Sequence, residues 1–172
     1  MSQDLTQYFK YSPFFVESES MPEVVWEQLQ DKIEQLPPSI SNLLTDFRTA
    51  EFIEFLSNSK GLSETQGQGI SKIVRDVILA DVYLGDMPAE ISSRLNIDLN
   101  SARELANQIA SQVFAPVLDD IKKVQVSRFP GRIAQTPVAQ QSPIQPLSIP
   151  RKFPGSDLPE TGGNIIDLRN QK

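Results

Sequence analysis

The sequence contains no cysteine and no histidine. Without cysteine the chain has no disulfide bond and no thiol nucleophile, and without histidine it has no imidazole to act as a catalytic acid or base. Zinc sites of the usual Cys/His type are excluded for the same reason. An enzyme built from this sequence would depend on carboxylates, Lys, Tyr or Ser alone. We therefore expect a protein that is not an enzyme and that holds no cofactor and no metal.

Long apolar runs are missing as well. No stretch approaches the roughly 20 apolar residues that a membrane-spanning helix needs. The first residues, MSQDLTQYFK, do not show the basic region followed by an apolar one that marks a secretory signal. We therefore expect no membrane span and a cytoplasmic location. The net charge of −6 disfavours generic binding to nucleic acid or to anionic membranes.

The charge is unevenly distributed along the chain. Residues 1–126 hold 10 Lys/Arg and 19 Asp/Glu, a balance of −9, whereas residues 127–172 hold 6 and 3, a balance of +3. The second segment is also rich in proline, and its apolar residues follow no period. Such a segment buries too little apolar surface to offset the entropy that is lost on ordering. We therefore predict a disordered, Pro-rich C-terminal tail at residues 127–172.

Helical periodicity dominates the segment before the tail. Between residues 20 and 126 apolar side chains recur at three- and four-residue spacing, which predicts an all-α bundle of five or six helices. A capping-box pattern of Ser63 with Gln66 opens a helix that we expect to run to Leu84 at the centre of the bundle. The last helix should be kinked at Pro116, because proline removes a backbone hydrogen bond. Residues 1–19 are rich in aromatic side chains, and we expect an irregular N-terminal arm packed on the bundle.

One short apolar patch interrupts the polar tail. Ile165, Ile166 and Leu168 stand close together at the end of a long tether. We interpret them as a partner-binding patch that would dock on a groove or a sheet edge of another protein. The sequence thus favours a non-enzymatic protein–protein interaction module or adaptor, with a helical body and a tethered docking patch.

Two other functions stay open. Residues 91–103 have the pattern of a helix-turn-helix, with a short helix, an apolar turn and a capped second helix. This pattern would indicate a DNA-associated regulator. The exposed side of its second helix would offer Arg103, Asn107 and Gln108 to DNA, but also Glu104. The third function is that of a sortase-type surface substrate, because residues 158–162 spell LPETG. The residues that follow this motif are largely polar and do not form the membrane segment of a wall-anchored protein, so a coincidental match or a laboratory tag is favoured.

Several segments of the helical region carry a resemblance to known sequences. They are residues 36–50, which begin Leu36-Pro37-Pro38, then Tyr83-Leu84-Gly85, residues 106–109, and residues 113–117 with the sequence VFAPV. In these segments the chain resembles small uncharacterised helical proteins of the candidate-phyla-radiation bacteria, which likewise end in a loose tail with a terminus similar to Asn164–Leu168. The resemblance covers residues 36–124 and implies no known activity.

Overall fold

The computed structural model of the protein describes residues 5–18 and 20–133, and all regular secondary structure within these ranges is helical. The α-helices are α1 (Leu5–Tyr11), α2 (Glu23–Glu34), α3 (Pro38–Thr45), α4 (Phe47–Ser59), α5 (Glu64–Ile78), α6 (Met87–Leu95), α7 (Leu99–Ile109), α8 (Leu118–Arg128) and α9 (Pro130–Ile133). Their apolar faces meet in one hydrophobic core. The predicted all-α fold is confirmed.

Helix α5 lies at the centre of this core, as the periodicity predicts. Its capping box is formed: the Gln66 backbone N–H donates to Ser63 Oγ at 3.2 Å, and the Ser63 N–H donates to Gln66 Oε1 at 2.9 Å. The residues Ile70, Ile73, Val74, Val77 and Ile78 are all buried. Because α5 packs against α1, α3, α4 and α6, it connects most of the bundle.

The prediction that this helix continues to Leu84 is wrong, since α5 ends at Ile78. Ala80 adopts a left-handed backbone conformation with φ 55°. The N–H groups of Asp81 and Val82 then turn back to the Asp76 carbonyl at 2.8 and 3.0 Å, which satisfies a carbonyl at the end of the helix. Glycine is the usual residue at such a position. An alanine there gave no local signal of the helix end.

The predicted kink at Pro116 is confirmed and is spread over two irregular turns. Helix α7 passes into a π-helical turn at Ala110–Phe114 and then into a 3-10 turn at Ala115–Val117, after which α8 begins. Proline cannot donate to the preceding turn, and its ring crowds the carbonyl four residues earlier. The wider turn brings Val113 and Phe114 into the core, where both are buried.

The N-terminal arm differs from the prediction in one respect. Residues 1–19 were expected to be irregular, but residues 5–11 form α1. The expected packing on the bundle is confirmed, because Tyr11, Ser12 and Val16 are buried. Ser71 Oγ donates to the Tyr11 carbonyl at 2.7 Å, so the arm is hydrogen-bonded to α5. These tertiary contacts stabilise a seven-residue helix that is too short to be stable alone.

Helical structure also continues beyond the predicted start of the tail at residue 127. Helix α8 ends at Arg128, and α9 reaches Ile133. The Phe129 ring meets the Tyr83 ring edge-on at 5.7 Å, and Arg132 pairs with Asp86. These contacts explain why residues 128–133 belong to the helical body. The rest of the predicted tail, residues 134–172, lies outside the described residues.

Candidate interaction site

A surface recess lined by both apolar and polar side chains lies beside α1. Helix α1 and the loop after it enclose a groove of about 720 Å³, which we call the α1 groove. It is lined by Leu5, Thr6, Phe9, Lys10, Phe15, Val16, Glu17, Ser18, Ser20 and Gln68. Its volume lies within the range of about 300–1,000 Å³ that is common for ligand-binding clefts.

The apolar side chains of α1 fall into two groups, one that packs on the helical body and one that is exposed. Tyr8 and Tyr11 face the body: the Tyr8 ring stacks on Phe47 at 5.4 Å, and Tyr11 is buried. Leu5 and Phe9 are one helical turn apart and are 62% and 49% exposed. They form a protruding apolar edge along the α1 groove, which we call the α1 ridge.

Aromatic contacts hold the α1 ridge in place. The Phe9 ring meets the Phe15 ring edge-on at 5.0 Å, and Phe15 meets Phe14 in the same way at 4.7 Å. Phe14 in turn contacts Trp26 of α2 at 5.0 Å. Edge-to-face pairs at these centroid distances are favourable beyond the area they bury. The ridge is therefore a supported feature of the surface.

The charged side chains at the rim of the α1 groove are paired. Lys10 Nζ lies 2.9 Å from Glu64 Oε2. Glu17, whose backbone φ of 70° is left-handed, contacts Lys72 at 2.5 Å and Arg75 at 3.5 Å. Partial burial raises the pKa of Glu17, but the hydrogen bond from Lys72 and the charge of Arg75 outweigh it, so the pKa lies below its ordinary value. The charges of Lys10 and Glu17 at the rim are therefore compensated within the chain.

Arg75 anchors the loop that forms the far wall of the groove. Only 9% of this residue is exposed. Its guanidinium donates to the Val16 carbonyl at 3.3 Å and pairs with Glu17 and with Asp76 at 3.6 Å. Because an unpaired buried cation would be costly, these three partners are what allow Arg75 to lie here. Helix α5, which carries Arg75, thus holds this wall of the α1 groove in place.

Helices α6 and α7, with the turn between them, form the short helix, turn and second helix that the sequence indicates. Asn96 adopts a left-handed conformation (φ 52°, ψ 51°) between them, and the Asp98 side chain accepts from the N–H groups of Asn100 and Ser101, both at 3.0 Å. Ile91, Leu95, Ala102 and Leu105 form the buried seam. Arg103 and Asn107 are exposed on α7.

The cations near this element are already engaged within the protein. Arg94 contacts Asp76 at 2.5 Å and Glu90 at 2.8 Å. Burial lowers the pKa of Arg94, but these two carboxylates outweigh it and raise the pKa above its ordinary value. Lys60 pairs with Glu104 of α7 at 3.0 Å. Binding of phosphate by Arg94 or Lys60 would therefore require breaking existing ion pairs.

The partner-binding patch predicted at Ile165, Ile166 and Leu168 lies outside the described residues, as does the LPETG sequence. Within residues 5–18 and 20–133 no cluster of three or more acidic side chains is arranged to hold a metal ion. No helix in the same ranges is long and apolar enough to cross a membrane.

The α1 ridge was not predicted from the sequence. The signal was the spacing of Leu5, Tyr8 and Phe9 with Tyr11, which places them on one apolar side of a helix and the polar residues on the other, an amphipathic pattern in a segment we expected to be irregular.

Searches with the chain against protein-family models, curated proteins and solved structures found no match. The resemblance to small helical proteins of the candidate-phyla-radiation bacteria stays a prediction.

Proposed function

We propose that the protein is a non-enzymatic protein–protein interaction module whose helical body binds a protein partner through the α1 groove. The observation that carries this proposal is the exposed ridge of Leu5 and Phe9 beside the α1 groove. Exposed apolar side chains that sit together in a rimmed cleft commonly mark interaction sites. Covering the two ridge side chains would contribute roughly 1–2 kcal/mol each, at ~25 cal/mol per Å² of apolar area.

A non-enzymatic role is supported by how the buried polar side chains are used. Ser57 Oγ donates to the Ile53 carbonyl at 2.7 Å, and Ser71 Oγ donates to the Tyr11 carbonyl. The Gln125 amide nitrogen donates to the Val77 carbonyl at 3.2 Å. These groups satisfy backbone atoms within the fold, whereas an activated nucleophile is typically paired with a general base.

The tail adds a second contact to the proposal. Ile165, Ile166 and Leu168 would dock on a partner, and the preceding Pro-rich residues would act as a tether that raises the local concentration of the patch. The proposal also includes a cytoplasmic location, because a chain without cysteine suits a reducing compartment.

Site-specific photo-crosslinking tests the groove. A photoreactive phenylalanine analogue replaces Phe9 in one full-length protein and Phe55 in another; Phe55 is a matched control because it is 65% exposed on α4. We expect protein adducts at position 9 and few at position 55. Equal adducts at the two positions, or none at position 9, would contradict the proposed site.

Paired tail variants test the second contact. We expect replacement of Ile165, Ile166 and Leu168 by Ser to weaken capture of the partner identified by crosslinking. Replacement of Pro143, Pro146 and Pro150 by Ala should leave that capture nearly unchanged, because these residues set only the reach of the tether. The opposite pattern would move the contact upstream of the terminal patch.

A DNA-associated regulator is the second candidate, and the left-handed turn at Asn96 between α6 and α7 favours it. Arg103 and Asn107 would face the DNA. Fluorescence anisotropy with random duplex DNA at increasing salt distinguishes the two functions. Binding that weakens steeply with salt supports the regulator, and absence of binding at low salt refutes it.

A further inference from the structure

We infer that helix α2 is a strap that opens as a unit from the helical body and is held closed by the ion pair between Lys32 and Asp81. This inference goes beyond the proposed function, because it concerns how α2 is attached to the body and not what the α1 groove binds. Four observations carry it: the small buried area of α2, its single polar link, the prolines at its ends and two recesses beside it.

Helix α2 buries little of its surface. Leu29 is the one buried residue among its 12, whereas α5 has eight buried residues among 15. Ile33 packs against the core but is only partly covered, and Val24 and Val25 are exposed. Removal of apolar area from water is the main force that holds a helix to its neighbours. The apolar contacts therefore attach α2 weakly.

One ion pair provides the polar link between α2 and the body. Lys32 Nζ donates to both carboxylate oxygens of Asp81 at 2.9 Å. Among residues 5–18 and 20–133, no other hydrogen bond or ion pair joins α2 to another part of the chain. The N-terminal arm, in contrast, is tied to the body by several hydrogen bonds, such as that from the Tyr8 hydroxyl to the Thr45 carbonyl at 2.7 Å.

Both ends of α2 lie at prolines. Pro22 precedes the helix, and Pro37-Pro38 separates it from α3. Proline has no backbone N–H, so the helical ladder of hydrogen bonds cannot run from α2 into α3. The segments on the two sides of α2 are also joined without it, because the Phe14 N–H donates to the Leu44 carbonyl of α3 at 3.1 Å. The arm and α3 can therefore keep their places while α2 moves.

Two recesses lie between α2 and the body. One, of about 160 Å³, separates α2 from the end of α5, and the other, of about 310 Å³, lies between the end of α2 and α8. Lys32 and Leu79 line both. Protein interiors contain few voids larger than a water molecule, so these recesses mark the surface along which α2 is incompletely packed. Opening of the strap joins the two recesses and uncovers Leu79.

Hydrogen exchange of the full chain, measured by mass spectrometry at low urea concentrations, tests the strap. We expect the amides of α2 to exchange through one local opening, faster than those of α5. Lys32→Met keeps the apolar stem and removes the charge. It should raise the exchange rate of α2 by about two- to five-fold, the range that corresponds to an exposed ion pair, and leave α5 unchanged. Lys60→Met is the matched control, because Lys60 forms a similarly exposed pair with Glu104 at 3.0 Å but has no contact with α2. It should leave the exchange rate of α2 unchanged.

Trp26 distinguishes opening of the whole helix from fraying of its ends. This residue lies on α2, and its ring meets the Phe14 ring at 5.0 Å. Opening separates the two rings, so Trp26 fluorescence should change at lower urea concentrations than the circular dichroism of the chain. In Lys32→Met the fluorescence transition should move to lower urea, while the main circular dichroism transition stays in place.

Three outcomes would overturn the inference. The first is exchange of the α2 amides only together with those of α5. The second is an exchange rate of α2 that Lys32→Met does not raise, or that Lys60→Met raises equally. The third is coincidence of the fluorescence and circular dichroism transitions in the original chain.

Discussion

Replacing Gly67 by alanine tests how the N-terminal arm packs on α5. Gly67 is buried in the first turn of that helix, where helix propensity alone favours alanine by about 1 kcal/mol. The structure predicts instead that alanine at this position lowers the stability of the fold. A Cβ atom at Gly67 would lie 2.6 Å from Tyr11 Cε1 and 2.7 Å from Ser57 Oγ. The Tyr11 ring and the Ser57 side chain of α4 would both have to move.

The size of the effect follows from these contacts. Forcing a methyl group into a filled core costs about 1–3 kcal/mol, from which the gain in propensity of about 1 kcal/mol is subtracted. Displacing the arm would also weaken the 2.7 Å hydrogen bond from Ser71 Oγ to the Tyr11 carbonyl. We expect Gly67→Ala to lower the free energy of unfolding by about 1–2 kcal/mol, which corresponds to roughly 3–8 °C in Tm for a domain of this size.

Gly69→Ala is the matched control. Its added Cβ would meet only the Leu95 side chain, at 3.0 Å from Cδ1 and 3.8 Å from Cγ. This variant should be about as stable as the original chain or up to ~1 kcal/mol more stable. Thermal unfolding followed by circular dichroism measures both variants. Trp26, the single tryptophan, contacts Phe14 of the arm, so its fluorescence reports displacement of the arm. A Gly67→Ala protein that melts higher than the original chain would refute the packing argument.

The remaining predictions concern the core, a buried amide and an ion pair. Ile78→Asp should unfold the body, because Ile78 is 1% exposed and a buried unpaired carboxylate costs several kcal/mol; circular dichroism of the purified variant measures this. Gln125→Leu should lower the free energy of unfolding by about 2–3 kcal/mol in urea titrations, because it leaves backbone partners of the amide unsatisfied. The pKa of Glu17 is lowered by Lys72 and Arg75 despite partial burial. At Glu17 the folded state therefore binds fewer protons than the unfolded state. The stability that ionised Glu17 contributes is present above pH 4.5 and is lost as pH falls through the lowered pKa. Glu17→Gln should flatten that part of the stability-versus-pH curve, and an unchanged curve would contradict the assignment.

The helical class and the start of α5 could be predicted from local residues. Ser63 with Gln66 forms the expected cap, and Asp98 caps α7 in a similar way, because a capping side chain reaches only two or three residues along its own backbone. The kink at Pro116 is local for the same reason, since the missing N–H belongs to the proline itself.

The end of α5 and the shape of the arm depend on distant partners. Ala80 takes a left-handed conformation that alanine does not prefer by itself, and Gln125 of α8 donates to the Val82 carbonyl at 3.1 Å in the loop that follows. In the arm, α1 is a single short helix that gains its stability from α4 and α5. These contacts join residues about 40 to 60 positions apart, so neither spacing nor propensity reveals them.

For the candidate site, too, some properties follow from the sequence alone and others depend on the tertiary structure. The absence of cysteine and histidine limits the available chemistry without any structure, because it depends on residue type alone. The α1 groove depends instead on where separate segments come to lie: Leu5 and Phe9 form one wall, and the Arg75 guanidinium holds Val16 and Glu17 in the other across nearly 60 residues of chain. Only packing brings these side chains together, because the burial of Tyr11 and Val16 orients α1 and the loop at once.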